Sequence, residues 1–310
     1  MVRVVFMGTP GFAVPVLEAL VTPYDLVGVV TQPDRPAGRG RKLAASPVKE
    51  AALARGAPLL QPTTLRSPEA LEQLVAWRPD MIIVAAFGQL LRLEVLDLPP
   101  HGCLNIHGSL LPRYRGAAPI PAAILAGDEI TGVTIMRMDE GLDTGPILSQ
   151  AQQPIAPDDT TGSLTAKLAD LGAELLLETL PRWLSGQIEP QIQDDTLATY
   201  CGGLRKADGH LDWSRSVRYL DRQIRACDPW PGAYTRWQGQ RLKVLRARPH
   251  PGWCEDGQPG EVVETEAGLG VVTGEGLLEL VEVQPAGKKP MPAAAFAHGQ
   301  RDLVGRRLES

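Results

Sequence analysis

The chain of 310 residues is poor in the features that would place it in several broad classes. Its four cysteines, Cys103, Cys201, Cys227 and Cys254, are widely spaced, with no C-x-x-C pair and no histidine at metal-ligand spacing. That argues against a disulfide framework and a structural metal centre, and reads as free thiols in a reducing compartment. No run approaches the roughly 20 consecutive apolar residues that a membrane helix needs. The opening segment sets Arg3 among Val2, Val4, Val5 and Phe6, the pattern of a buried first strand and not of a secretion signal. A cytoplasmic protein with no membrane partner and no metal is expected, with a monomer as the default. Net charge is −5 at pH 7, so any nucleic-acid contact must come from a local basic surface and not from overall charge. The first glycine turn, Gly8-Thr9-Pro10-Gly11-Phe12, lacks the G-x-G-x-x-G pattern that lets a backbone approach a pyrophosphate, which argues against a nicotinamide enzyme. No internal repeat or low-complexity tract is present.

With 44% hydrophobic residues the chain can bury a substantial core, and its length suggests two domains. The first half alternates strand and helix patterns: 2–7, 12–21, 26–31, then 81–86 and 103–107. This rhythm predicts a doubly wound, mostly parallel sheet of the Rossmann-like α/β class. Ligands bind such sheets outside the carboxyl ends of the strands, where Gly8, Phe87, Gly88 and His107 fall. Residues 161–183 carry Leu164, Leu168, Leu171 and Leu175 at helical spacing, closed by Gly186. From about 187 to 206 the chain turns polar, which reads as an interdomain linker. Beyond it, short β-like runs at 241–245, 261–264, 270–273 and 277–283, separated by Gly, Pro and Asp, predict a small β-barrel. The expected division is a catalytic domain over 1–188, a linker over 189–205 and a C-terminal domain over 206–310.

The chemistry concentrates between Asn105 and Gly145. Cys-Leu-Asn-Ile-His at 103–107 reads as a short strand ending at Gly108, and period-two alternation puts Asn105 and His107 on one face. Asp143 follows in the loop Asp139-Glu140-Gly141-Leu142-Asp143-Thr144-Gly145, whose two glycines permit a tight path back toward the histidine. An amide, an imidazole and a carboxylate would then converge. That set suits attack by an amine on a carbonyl carbon: amide and imidazole donate to the developing oxyanion while the carboxylate holds the imidazolium or relays a proton. One preorganised donor of this kind is worth about 3 kcal/mol of barrier. Singly, an Asn, His or Asp near a strand end most often caps a helix or closes a turn. Cys103 is a possible nucleophile by proximity, but an apolar strand raises a thiol's pKa and keeps it inert.

The segment between these residues is too idiosyncratic for a generic connection. Asn105-x-His107-x-Ser109-Leu110-Leu111-Pro112, then Arg115-Gly116 and Asp143-Thr144-Gly145, resembles the folate-dependent formyltransferases that use 10-formyltetrahydrofolate. Residues 31–40 (TQPDRPAGRG), 132–136 (GVTIM) and 284–289 (QPAGKK) are similar to the branch of that family acting on initiator methionyl-tRNA, and the resemblance spans nearly the whole chain. It implies transfer of a formyl group to the α-amine of methionine on initiator tRNA. Asn105, His107 and Asp143 fall on the family's catalytic positions, and Ser109, Leu110, Leu111 and Pro112 on its folate-contacting loop. Phe87, Gly88 and Leu91 would line the pteridine pocket, backbone groups meeting the ring's hydrogen-bonding edge; simple strand termination is the alternative. The C-terminal barrel would be an OB-like domain touching tRNA, with Lys288 and Lys289 on its surface.

Two basic features stand beside this. Arg35, Arg39, Arg41 and Lys42 crowd a Gly- and Pro-punctuated segment with no apolar periodicity, expected to be an exposed loop able to neutralise phosphates. The resemblance implies that this insertion meets the tRNA acceptor end. Between Ser214 and Cys227, Val217, Leu220 and Ile224 mark an apolar helical face, with Arg215, Arg218, Arg222 and Arg225 opposite and Ser214 as the expected cap. Two rival readings remain at this level: a formyltransferase acting on an amino sugar or another small amine, and a non-catalytic RNA-binding protein on the same scaffold.

Overall fold

The computed structural model describes residues 1–37, 42–254, 256–265, 268–300 and 302–309. Two compact units divide the chain: Met1–Pro119, Ile130–Pro154 and Thr165–Gly202 form the first, and Ile120–Glu129, Ile155–Leu164 and Gly203–Ser310 the second.

The first unit is built on a seven-stranded sheet. Its strands lie in the order Ile147–Pro154, Ile130–Arg137, Cys103–His107, Met81–Ala85, Arg3–Gly8, Asp25–Val30, Leu59–Leu60. From Leu59–Leu60 to Cys103–His107 every pairing is parallel. Ile130–Arg137 and Ile147–Pro154 then add antiparallel at one edge. Met81–Ala85 and Cys103–His107 are buried at every residue, as strands covered on both faces must be, which explains the continuous apolar sequence of the first. Strand order reverses beside Arg3–Gly8, and the crevice for a ligand in such a sheet opens at this reversal.

Helices flank the sheet with starts that the sequence encodes. Ser46 precedes Pro47–Ala54 and accepts from the Lys49 amide at 3.1 Å. Ser67 does the same for Pro68–Trp77, accepting from Ala70 N at 3.2 Å. In both cases proline follows at the first helical position, where its missing N–H costs nothing. In the long helix Thr161–Leu184, Gly172 lies so close to the sheet that an added Cβ would stand 3.0 Å from Ile106. Leu168, Leu175, Leu176 and Leu180 of that helix are buried.

In the second unit a curled antiparallel sheet forms a half-barrel, ordered Tyr234–Trp237, Gln240–His250, Leu277–Pro285, Gly268–Val272, Val262–Thr265, with Met291–Pro292 paired to Leu277–Pro285. Its core gathers Trp213, Leu220, Val244, Leu278 and Phe296. Trp213 is fully buried and its indole N–H donates to Thr235 Oγ1 at 3.2 Å, so the ring's one polar atom is satisfied.

Three local expectations are corrected. Residues Arg35–Ala37 and Lys42–Ala44 pair as a short antiparallel hairpin instead of an irregular loop, because backbone pairing needs no apolar periodicity. The helix Val217–Ala226 is capped by Ser216, which accepts from Tyr219 N at 3.4 Å, while Ser214 donates to Asp212 instead. On that helix Val217, Leu220 and Ile224 are buried as expected, but the arginines do not form a free stripe. Arg222 donates to Ala126 O at 2.8 Å, and Arg225 to Asp221 and to Asp159 O.

Candidate active site

Asn105 and His107 project from one face of Cys103–His107, and the loop after Ile130–Arg137 returns Asp143 to them. One carboxylate oxygen of Asp143 lies 3.4 Å from Asn105 Nδ2 and 3.7 Å from His107 Nδ1. The other accepts from the Gly116 amide at 2.8 Å. All three side chains are largely withdrawn from solvent, at 9% and 6% exposure for Asn105 and His107, with the Asp143 side chain at 15%. The histidine's second nitrogen, Nε2, meets the Tyr114 carbonyl at 2.9 Å. A carbonyl oxygen only accepts, so Nε2 carries the proton and Nδ1 is the nitrogen that faces Asp143.

The turn that returns Asp143 differs from expectation in an instructive way. Asp143 itself adopts the left-handed conformation, with φ 55°, and Gly141 and Gly145 do not have positive φ. Gly145 is needed for close approach: a Cβ there would sit 1.8 Å from Arg137 O. An aspartate tolerates the left-handed region better than most side chains, at a cost of about 1–2 kcal/mol.

Ser109, Leu110, Leu111 and Pro112 follow directly on the histidine. Ser109 is fully buried and its hydroxyl donates to Arg113 O at 2.6 Å. The buried hydroxyl of Thr134 organises the segment. It donates to Ser109 O at 2.7 Å and accepts from Leu111 N at 3.0 Å and from Gln150 Nε2 at 2.9 Å, while Gln150 also donates to Leu111 O at 2.9 Å. Leu110 lies over Gly132, where a Cβ would come within 2.6 Å of it.

Phe87 and Leu91 are core side chains, 2% and 6% exposed, packed with Val5, Met7 and Val30. They turn no side chain to solvent. The Phe87 carbonyl accepts from Thr9 Oγ1 at 3.2 Å and Gln32 Nε2 at 3.3 Å, which leaves exposed Gly88, at φ 81°, as the open backbone of the segment. Arg35 is exposed and donates to Gln32 Oε1 at 3.2 Å. Arg39 and Arg41 lie outside the described residues, as does the Lys42 side chain. Lys288 and Lys289 are exposed, in the second unit, in the turn before Met291–Pro292.

Two residues that the sequence did not single out as part of the site are built into it. Arg115 is 1% exposed, and Gln193, from the stretch expected to be linker, is 7% exposed and donates to backbone carbonyls of the Asp143 turn. Cys103 is withdrawn from chemistry, since burial pushes its thiol up to about 12. Among the described residues no group of three His, Cys, Asp or Glu could hold a metal ion, and no helix is long and apolar enough to cross a membrane.

A mostly parallel α/β unit with a buried Asn, His and Asp set at its strand ends, followed by an antiparallel half-barrel, defines a class that comparison identifies. The formyl transferase model matches residues 2–180 and the formyl transferase C-terminal domain model matches 203–301, and the chain belongs to the formyltransferase family. Among curated relatives, the methionyl-tRNA formyltransferase of Roseiflexus sp. (strain RS-1) is 52% identical over 99% of this chain and 95% of its own. That of Myxococcus xanthus (strain DK1622) is 50% identical over 98% and 96%. The N-formyltransferase of Helicobacter canadensis, solved with folinic acid and dTDP-3-aminofucose, shares the fold at TM-score 0.65 and 18% identity, covering 90% of this chain and 99% of its own. Aquifex aeolicus HypX, solved with tetrahydrofolic acid, does so at 0.63 and 18%, covering 98% of this chain and 48% of its own.

Proposed function

We propose that this protein transfers the formyl group of 10-formyltetrahydrofolate to the α-amine of methionine on initiator methionyl-tRNA, as a soluble cytoplasmic monomer serving translation initiation. The observation that carries the reading is the convergence of Asn105, His107 and Asp143 in a chain about half identical, end to end, to relatives of that activity. Residues 1–188 are the catalytic part, 189–205 the connection and 206–310 the tRNA-binding part.

The neutral amine attacks the formyl carbon, forming the new C–N bond as the bond to folate N10 breaks. Asn105 Nδ2 has a second N–H beyond the one facing Asp143, and it donates to the formyl oxygen as negative charge gathers there. His107 Nδ1 takes the amine's proton and delivers it toward N10, while Nε2 keeps its bond to the Tyr114 carbonyl. Asp143 holds the imidazolium formed on the way. At 3.7 Å and an effective dielectric near 20, that attraction amounts to about 4 kcal/mol. Roles are thus divided more sharply than the sequence implied: the amide is the oxyanion donor and the imidazole the proton carrier.

The residues present fit a folate. Loop 109–112 is fastened by Thr134 and Gln150, Leu110 offers an apolar surface, and Gly88 exposes backbone at the sheet's reversal for a pteridine edge. Arg35, Arg39, Arg41, Lys42, Lys288 and Lys289 are the proposed tRNA contacts, and phosphate neutralisation by them makes acceptor affinity fall steeply with salt.

The test is incubation of the protein with 10-formyltetrahydrofolate and charged initiator tRNA, reading formylmethionine by mass beside an amino-sugar acceptor. Formylmethionine supports the reading. Formylated sugar alone would keep the chemistry and change the acceptor, and no product from either would favour the RNA-binding rival.

A further inference from the structure

Gln193 sits in a polar run, yet every donor and acceptor of its amide is used inside the first unit. Its amide nitrogen donates to Asp143 O at 2.9 Å and to Gly145 O at 2.7 Å. Its carbonyl oxygen accepts from Arg115 Nε at 3.1 Å and from a terminal Arg115 nitrogen at 3.0 Å. Arg115 is in turn fixed by Asp195 Oδ1 at 2.7 Å and the Tyr200 hydroxyl at 3.2 Å. The two carbonyls that Gln193 grips are those of the residue carrying the catalytic carboxylate and of the glycine two positions after it.

We propose that Gln193, gripped by Arg115, is a positioning residue for formyl transfer: it clamps the backbone of residues 143–145 so that the Asp143 carboxylate faces His107 and Asn105. The inference rests on the reading of the site as a formyl-transfer centre. Three observations carry it. Asp143 is left-handed, a conformation that persists only where its surroundings over-determine it. The donations to the carbonyls of Asp143 and Gly145 hold the backbone leaving that residue, while Gly116 N holds the carboxylate itself. An uncharged amide alone among side chains can accept twice from a guanidinium and donate twice to carbonyls, so the position discriminates against Glu, which would set a carboxylate oxygen against two carbonyl oxygens.

The experiment uses the full chain with Gln193→Met and Gln193→Glu, each alone and combined with Asp143→Asn. Single-turnover formyl transfer to charged initiator tRNA is read beside KM for formyl-folate and the thermal midpoint. In the otherwise native chain the rate falls about 10- to 100-fold, as misplacement of a catalytic group by up to an ångström does, with KM nearly unchanged. In the Asp143→Asn background the same substitutions change the rate by less than about twofold, because their effect runs through the carboxylate. An equal loss in both backgrounds, or a lowered thermal midpoint with no loss of rate, overturns the proposal. Gln193→Glu keeps its acceptance from Arg115 and serves if the methionine variant does not fold. A native chain that transfers no formyl group, or an Asp143→Asn chain as fast as the native one, overturns the site reading itself and the inference with it, and either is recognised without any Gln193 variant.

Discussion

Thr134→Val tests the architecture under the proposed folate loop with almost no change of side-chain shape. The native hydroxyl is fully buried and makes one donation, to Ser109 O, and two acceptances, from Leu111 N and Gln150 Nε2. Valine removes all three. Gln150 keeps its bond to Leu111 O, but Ser109 O and Leu111 N lose this partner in the interior. A buried polar group left unpaired costs about 1–3 kcal/mol, and two such groups in a segment able to shift slightly come to about 3 kcal/mol together. Urea unfolding should therefore lose about 3 kcal/mol at unchanged m, because the surface exposed on unfolding is the same. Where half of that loss is an ordering cost the ligand must bear, about 1.4 kcal/mol, KM for formyl-folate rises about tenfold. The turnover number at saturating folate changes little, since Asn105, His107 and Asp143 keep their own contacts. A variant with native stability and native KM would refute the claim that Thr134 organises residues 109–112.

Gly145→Ala should lower turnover strongly, because a Cβ 1.8 Å from Arg137 O forces the turn carrying Asp143 to move; native kinetics in this variant would contradict the geometry. The Cys103 thiol, raised by burial from 9.0 to about 12, binds its proton more tightly folded than unfolded. Its contribution is fully present below about pH 9 and is lost as pH rises toward about 12, so unfolding free energy should fall with a slope of up to about 1.4 kcal/mol per pH unit from this thiol. Cys103→Ala should flatten that slope, as denaturant titrations between the two limits would report.

Much of the first unit was legible because its signals are local. Buried parallel strands are nearly continuous apolar runs, and 81–85 reads as such, while 103–107 shows its strand by alternation. The faces of Asn105 and His107 followed from period two, and their meeting with Asp143 is what the structure contains. What escaped was decided by partners far away in the chain. Gln193 looks like linker because polar residues ordinarily stay in water, and its burial depends on Arg115, 78 residues distant. Arg115 was read as part of a motif, with nothing to say that its charge is withdrawn from solvent. The sequence points to the two glycines for the tight path of the turn, whereas the residue in the left-handed conformation is the aspartate itself. Ser214 reads as the cap from sequence, but its hydroxyl is taken by Asp212 and Ser216, bridged to Glu275, caps the helix instead.

The central claim, that Asn105, His107 and Asp143 act as one unit in formyl transfer, is tested most directly by single-turnover rates. The native chain, the variants Asn105→Ala, His107→Ala and Asp143→Asn, and the triple variant are compared with formyl-folate and charged initiator methionyl-tRNA. Groups that act together show grossly non-additive losses, so His107→Ala alone should cost nearly as much as the triple change, with folate binding retained throughout. Losses that simply multiply from single to triple variant, or a His107→Ala chain that transfers at the native rate, would contradict it.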